Sequence, residues 1–449
     1  MRAGAGLTVR TRPAGRHDPG GAARGPALLV TMGAAVAAAA AAAYLIAIAT
    51  HPMAVMLKGF DLRVYLGGAR AALSSPGRLY SWTYDGHPGI QFTYTPFAAL
   101  LFAAGLAVPF PALMSVAAAV SVLALGVTSA IAFRALGWRG TRRLGATLLV
   151  AGLALWTEPV QRALFLGQVE VVLMALVTWD LCQPDGRRLK GAATGLAAGI
   201  KLVPLLFIAY LLLTRRPRQA AVAAGAFAAT VLIGWAAFPS ASLTWWLGGA
   251  FAQAGRTGFV GGQPNQSLRG ALTRLAGSVA WAQWPWLAVA AVAGLAGLAA
   301  AVVLHRRGRA FAGLTGCALT ALLVSPVSWD HHWVWVAPGL ALLCDAGARA
   351  ATARARATWY ALAALIWAVF AAWPDFWSAK AGLLQGGLIG YAPASAWAHG
   401  DNPAYAEYHW HGLRLLAGNL ELLAGLALFA VLLAAAFRPH LRPHLRPRR

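Results

Sequence analysis

Acidic residues are scarce in this chain. Thirteen Asp and Glu stand against thirty-seven Lys and Arg, so the position of each carboxylate carries weight. Charge of either sign is thin, at 11% of residues, while 59% are hydrophobic. That balance excludes an ordinary soluble globular domain. Cysteine is nearly absent as well. Cys182, Cys317 and Cys344 lie in apolar runs without paired spacing, which excludes a disulfide framework and a thiolate zinc site. No unit of 20–50 residues repeats and the two halves show no symmetry, which argues against the inverted-repeat plan of many transporters.

What the chain has in abundance is long apolar runs, many of about 18 residues or more, the length that crosses a ~30 Å hydrocarbon core. It reads as an all-α polytopic membrane protein. Spans fall at about 26–50, 93–108, 111–135, 144–157, 168–183, 191–214, 219–238, 283–304, 311–327, 331–346, 357–374 and 413–437. The formal charge of +24 invites a nucleic-acid partner, but its distribution rejects one. Basic residues gather in both tails and in the short loops WRGTRR, DGRRLK, TRRPRQ and HRRGR, the bias of cytoplasmic loops rather than of a nucleic-acid-binding face.

Three parts follow. Residues 1–25 read as a disordered basic cytoplasmic tail, 26–437 as one transmembrane domain, and 438–449 as a second basic tail lying on anionic lipid. The run 26–50 is longer than a signal-peptide core, so it reads as an uncleaved signal anchor. Two cytoplasmic tails require an even number of crossings, ten to twelve. The external connections are then 51–92, 239–282 and 375–412. One segment resists a simple span: GAATGLAAGIKLVPLLFIAYLLLTRRPRQ has basic loops at both ends and Lys201 and Pro204 in its middle. A re-entrant hairpin bending there keeps both loops on one side, provided the bend lines a protein or water-filled cavity.

Polar residues cluster where apolar runs end on the external side. In DLRVYLGGARAALS the residues Leu62, Tyr65, Leu66, Ala69 and Leu73 form one helical stripe, predicting a short helix on the membrane surface. Asp61 stands at its N-cap position, so capping competes with a ligand-facing role; one carboxylate can do both. Further along come Tyr94 and Pro96, Gly167 and Gln168, Lys201, the run Asn265-Gln266-Ser267, and Ser328-Trp329-Asp330-His331-His332. Each alone fits capping or interfacial solvation, but polar groups gathered within a membrane domain mark function. Adjacent histidines on a helix diverge by about 100°, which disfavours a shared metal ion. Proton handling and substrate hydrogen bonding remain open for His331 and His332.

In this order the pieces resemble glycosyltransferase family 87, the polyprenyl-phosphate-sugar-dependent enzymes of GT-C architecture. The pattern is an Asp shortly before a Tyr (Asp61, Tyr65), a Tyr-x-Pro re-entry (Tyr94, Pro96), Gly-Gln after Glu-Pro (Gly167, Gln168) and Lys-x-x-Pro (Lys201, Pro204). Asn265 to Ser267 and Ser-Trp-x-His-His (Ser328 to His332) complete it. The re-entry TYTPF lacks a second Pro that is common there. The resemblance spans about 55–340. It implies a GT-C helical bundle in the plasma membrane, a polyprenyl-phosphate sugar donor, and a glycolipid or lipoglycan acceptor on the external face. It also implies an inverting transfer that needs no further cofactor and no metal.

On that reading Asp61 is the general base, and one carboxylate suffices for an inverting transfer. Lys201 leads for the leaving phosphate, ahead of Arg63 and Arg269. His331 or His332 orients Asp61 or binds phosphate. Tyr65, Tyr94, Gln168, Asn265, Gln266, Ser328 and Trp329 are expected to line the substrate site. The donor sugar reads as mannose, in α-1,2 linkage, with arabinofuranose the alternative. A lipid or sugar flippase is the rival from another class.

Overall fold

Backbone groups in hydrocarbon have no water to pair with, so an apolar chain satisfies them within helices. The computed structural model describes residues 19–50, 59–86, 90–371, 402 and 404–438; among these no strand forms, only isolated bridge pairs. The helices are α1 (Pro19–Thr50), α2 (Phe60–Ser74), α3 (Pro96–Ala103), α4 (Phe110–Ala135), α5 (Gly140–Leu155) and α6 (Glu158–Leu166). Next come α7 (Glu170–Leu181), α8 (Ala192–Ile200), α9 (Leu205–Leu213), α10 (Pro217–Ala237), α11 (Pro239–Ser242) and α12 (Leu268–Ala276). Last are α13 (Val279–Arg306), α14 (Ala310–Val324), α15 (Val336–Arg349), α16 (Ala353–Phe370), α17 (Gly412–Ala417) and α18 (Leu420–Phe437).

By length and apolarity alone, α1, α4, α10, α13 and α18 are able to cross a membrane, and α6 with α7 makes a sixth span bent by 115°. Ten crossings would require four more from among the shorter or less apolar α3, α5, α14, α15 and α16. Leu123 on α4 and Leu295 on α13 are 68% and 74% exposed, as lipid-facing side chains would be. The basic tail is shorter than the sequence suggests, because α1 begins at Pro19. Pro fits the first helical position, and the Ala that follow favour helix. Residues 1–18, the far C-terminal tail from 439 onward and most of the 375–412 connection lie outside the described residues.

The register of the helices puts the basic loops at one end. On α5, a Cβ at Gly152 would meet Ala37 N of α1 at 2.8 Å, and one at Gly145 would meet Val30 N at 2.8 Å. Small residues thus let α1 and α5 pack closely and in parallel. In the next loops Asp185 pairs with Lys190 at 2.8 Å and with Arg216 at 3.2 Å. Arg306 donates to Leu213 O at 3.1 Å, and Trp138 donates to Asp345 Oδ1 at 2.7 Å.

The Asp185–Arg216 pair decides the geometry of 191–214. The two ends of that segment meet, so α8 runs away from the basic end and α9 returns, as the re-entrant reading requires. Along α8, Gly191 lies against Gln219, Gly195 against Ala223 and Gly199 against Thr230. With ~1.5 Å of rise per residue, the Lys201 bend sits roughly 15 Å from the basic loops. Thr95 Oγ1 donates to Gly199 O and fastens the start of α3 to that bend.

Helix α2 is amphipathic, but its buried set is Leu62, Val64, Tyr65, Gly68, Ala69 and Ala72; Leu73, assigned to the stripe, is exposed. Packing against Phe92 and Phe102 turns the covered face toward Gly68. The capping expectation for Asp61 is corrected. Gly59 is the N-cap, with φ 51°, and no side chain caps the helix. Gly59 N donates instead to Phe165 O at 3.1 Å, so docking on α6 starts the helix two residues earlier and leaves Asp61 in its first turn.

Candidate active site

The 115° break between α6 and α7 builds the centre of the site. Gly167 ends α6 with φ 71°, and a Cβ there would meet Leu62 Cβ of α2 at 2.8 Å. Only glycine meets both demands. The next residue, Gln168, is thereby aimed at α2. Its Nε2 donates to Asp61 Oδ2, while its Oε1 accepts from Tyr65 OH and lies 3.1 Å from Tyr94 OH. The two phenol oxygens are 2.7 Å apart. The ionised Asp61 carboxylate only accepts, and that settles which end of the amide faces it, since only Nε2 carries hydrogens.

Asp61 is half-buried by area, yet its carboxyl is ringed by protein atoms. Burial pushes its pKa up to about 6, against the lowering influence of the Gln168 hydrogen bond. A carboxylate near 6 is a stronger base than an exposed one and is still ionised at neutral pH.

Beside it lies a cationic and imidazole cluster. Lys201, at the α8–α9 bend, pairs with Glu170 of α7, lies 2.9 Å from His332 Nε2 and stands over the Tyr94 ring at 5.4 Å. Lys has only donors, so His332 Nε2 must accept. His331 Nδ1 is 3.0 Å from Asp330 Oδ1. The other oxygen, Asp330 Oδ2, lies 2.9 Å from Arg162 Nε, a charge contact rather than an aligned hydrogen bond. Burial opposes ionisation of Asp330, but Arg162 and then His331 outweigh it and hold the carboxyl below the ordinary carboxylate range.

The histidines occupy a 3-10 segment, Asp330–Trp335, not an α-helix. Their rings are 4.7 Å apart at 88°, and with Glu170 their ligand atoms lie within 4.8 Å of one another. Helical divergence therefore does not separate them. Lys201, however, already places an ammonium against Glu170 and His332, two of the three groups an ion would need.

The remaining residues divide. Asn265, Gln266, Ser267 and Ser328 are buried, with their polar atoms on backbone groups. Asn265 Oδ1 accepts from Ser328 N at 2.9 Å, and Gln266 N donates to Ser328 O at 2.8 Å. Gln266 Nε2 donates to Gly418 O at 2.9 Å, tying the loop to the C-terminal helices. They brace the turn carrying the histidines, and Trp329 lies in that brace, bridged to Asn265. Arg63 is exposed over the Phe110 ring at 3.8 Å. Arg269 donates to Gln283 Oε1 at 2.9 Å and lies over Trp286.

Three members of the cluster received no role in the sequence reading. Glu170 and Arg162 are charges inside apolar helices, a signal available in an acid-poor chain. Asp330 stood in the variable position between Trp329 and His331.

Comparison with known proteins bears on this geometry. The sequence profile of glycosyltransferase family 87 matches residues 92–326. The chain belongs to glycosyltransferase family 87. A polyprenol-phosphate-mannose-dependent alpha-(1-2)-phosphatidylinositol pentamannoside mannosyltransferase of Mycobacterium tuberculosis is 35% identical over 294 residues, covering 64% of this chain and 67% of the relative. Its namesake in Mycolicibacterium smegmatis is 35% identical over 62% of this chain and 67% of its own. A phosphatidylinositol mannoside mannosyltransferase of M. tuberculosis is 34% identical over 63% of this chain and 69% of its own. No solved structure matches. The protein is thus a membrane glycosyltransferase, and the flippase reading falls away.

Proposed function

We propose that the protein transfers mannose from a polyprenyl-phosphate donor to a hydroxyl of a phosphatidylinositol mannoside or related glycolipid, with inversion and in α-1,2 linkage. The observation that carries this reading is the Asp61 carboxyl, buried, raised toward neutral pH and held by Gln168 beside the Lys201 ammonium. The relatives' names supply the sugar, donor and acceptor. Asp61 takes the proton from the acceptor hydroxyl, and that oxygen attacks the anomeric carbon. The carbon–oxygen bond to phosphate breaks, and its electron pair leaves with polyprenyl phosphate. Lys201 neutralises the charge on the leaving phosphate, which makes a separate general acid unnecessary. Tyr94, Tyr65 and Gln168 hold Asp61 in direction.

The site lies at the end of the molecule away from the basic loops. The positive-inside rule then puts those loops and both tails in the cytoplasm and the site on the external face. The test is reconstitution in proteoliposomes with labelled polyprenyl-phosphate mannose, polyprenyl-phosphate arabinofuranose and phosphatidylinositol mannoside acceptors. Mannose transfer that vanishes in Asp61→Asn supports the reading. Full transfer by Asp61→Asn, or transfer of arabinofuranose alone, overturns it.

A further inference from the structure

The two adjacent histidines hold their hydrogens for opposite reasons. His332 Nε2 lies 2.9 Å from the Lys201 ammonium, which only donates, so that lone pair is taken. His331 turns Nδ1 toward Asp330 Oδ1 at 3.0 Å. Asp330 is 4% exposed, and its other oxygen lies 2.9 Å from Arg162. An ionised carboxylate only accepts, so Nδ1 of His331 must carry the hydrogen. The carboxylate itself cannot turn away. It also accepts from His331 N at 2.6 Å, while Asp330 N donates to Pro264 O at 2.8 Å. His331 Nε2 is buried and has no hydrogen-bond partner. An orphaned polar atom of this kind, beside Asp61 and Glu170, calls for a ligand.

We infer that Asp330, locked by Arg162, is a positioning residue. It fixes His331 with its hydrogen on Nδ1, so that Nε2 accepts a hydroxyl hydrogen of the sugar donor or of the acceptor. This rests on the proposed mannosyl transfer for its substrate, but not for its geometry. An imidazole whose one hydrogen is fixed on Nδ1 offers a lone pair at Nε2, and a lone pair takes an O–H rather than a phosphate oxygen. Labour is thereby divided: Lys201 meets the phosphate, His331 a hydroxyl, and His332 stands between Lys201 and its neighbour with no lone pair to spare. The choice between two histidines, open in the sequence, falls on His331. A carboxylate behind an imidazole sets its tautomer in the same way at serine-protease sites, where replacement by the amide costs about 10⁴ in kcat.

The experiment has two arms, both on the full-length protein in lipid nanodiscs. In the first, mannose transfer is measured for Asp330→Asn, His331→Gln and the double variant. Asp330→Asn should lower kcat about 100-fold, and the double variant should be no worse than His331→Gln alone. Multiplicative losses in the double variant, or full kcat in Asp330→Asn, overturn the inference. A rise in KM for donor or for acceptor in His331→Gln identifies which substrate supplies the hydroxyl, and an unchanged KM for both overturns that assignment. In the second arm, ¹⁵N-histidine spectra of the unaltered protein, with His331 assigned by its absence in His331→Gln, should show hydrogen on Nδ1. Hydrogen on Nε2, alone or together with Nδ1, overturns the inference. This arm reads out whether or not mannose is the sugar, so it fails separately from the functional proposal.

Discussion

Helix α7 carries a carboxylate near each end, ten residues and roughly 15 Å apart. Asp180, toward the basic loops, accepts from Gly191 N at 2.8 Å, from Thr194 N at 2.9 Å and from Thr194 Oγ1 at 2.7 Å. It caps α8, and every bond it can readily make is made. Glu170, at the opposite end, shares one oxygen with Lys201 and leaves the other buried without a partner. The same contrast holds for the two ends of the molecule. Asp185 and Asp345 pair with Arg and Lys at the basic end, whereas Asp61 and His331 each keep bonding capacity directed into the site. In an acid-poor membrane protein, satisfied carboxylates build the fold and unsatisfied ones are left for chemistry.

The largest effect is expected from Asp61→Asn. If the unsatisfied end does the chemistry, transfer falls by about 10³ or more, while thermal unfolding followed by intrinsic fluorescence is nearly unchanged. Lys201→Met comes next, with a loss in kcat of about 10²-fold. Removing one partner also leaves Glu170 as a buried unpaired charge, costing about 3–5 kcal/mol. The double variant Lys201→Met/Glu170→Gln should therefore recover thermal stability without recovering transfer. Recovery of both would mean the pair is structural.

Several members of the Asp61 cluster were legible in the sequence, and the reason is physical. Lys201 and Pro204 between two basic loops forced a bend, and the Asp185–Arg216 pair shows why: the loops meet. Asp61, Gln168, Lys201 and both histidines were singled out because polar residues in apolar runs are costly unless used. What stayed hidden depends on distances between segments far apart in the chain. Arg162 and Asp330 are 168 positions apart, and no local pattern announces their pairing. Asn265 and Gln266 read as sugar ligands because amides suit hydroxyls, but three-dimensional closure against Ser328 and Gly418 engages them with backbone. The cap of α2 was misassigned by two residues because Gly59 docks on Phe165, again a distant contact.

The pH profile tests the electrostatic half of the comparison. Asp61 is raised toward 6 chiefly by burial, and its base form is the ionised one. Transfer measured as kcat/KM should therefore be low in acid and rise through about pH 6, falling about tenfold for each unit below it. A carboxyl as free as an exposed Asp would put that limb near 4. Asp61 is faced by Glu170, Lys201, His331 and Gln168, so Glu170→Gln should move the limb downward by removing a neighbouring negative charge.

The smallest effect on transfer is expected at the other end of α7. Asp180→Ala removes the N-terminal acceptor of α8 and strands buried donors on Gly191 and Thr194, at a cost of about 2 kcal/mol in stability. The loss should appear as a lowered unfolding temperature, together with faster proteolysis of the loop at 184–190. Transfer per folded molecule should stay within about twofold. The re-entrant bend is held independently of the cap by Thr95 on Gly199 and by the fit of Gly199 against Thr230. Lys201 therefore keeps its place even when the far end of α8 loosens. Were kcat to fall tenfold in this variant while the protein remained folded, α8 would be acting as a rigid lever from the basic end. The division of the molecule into a structural end and a chemical end would then fail.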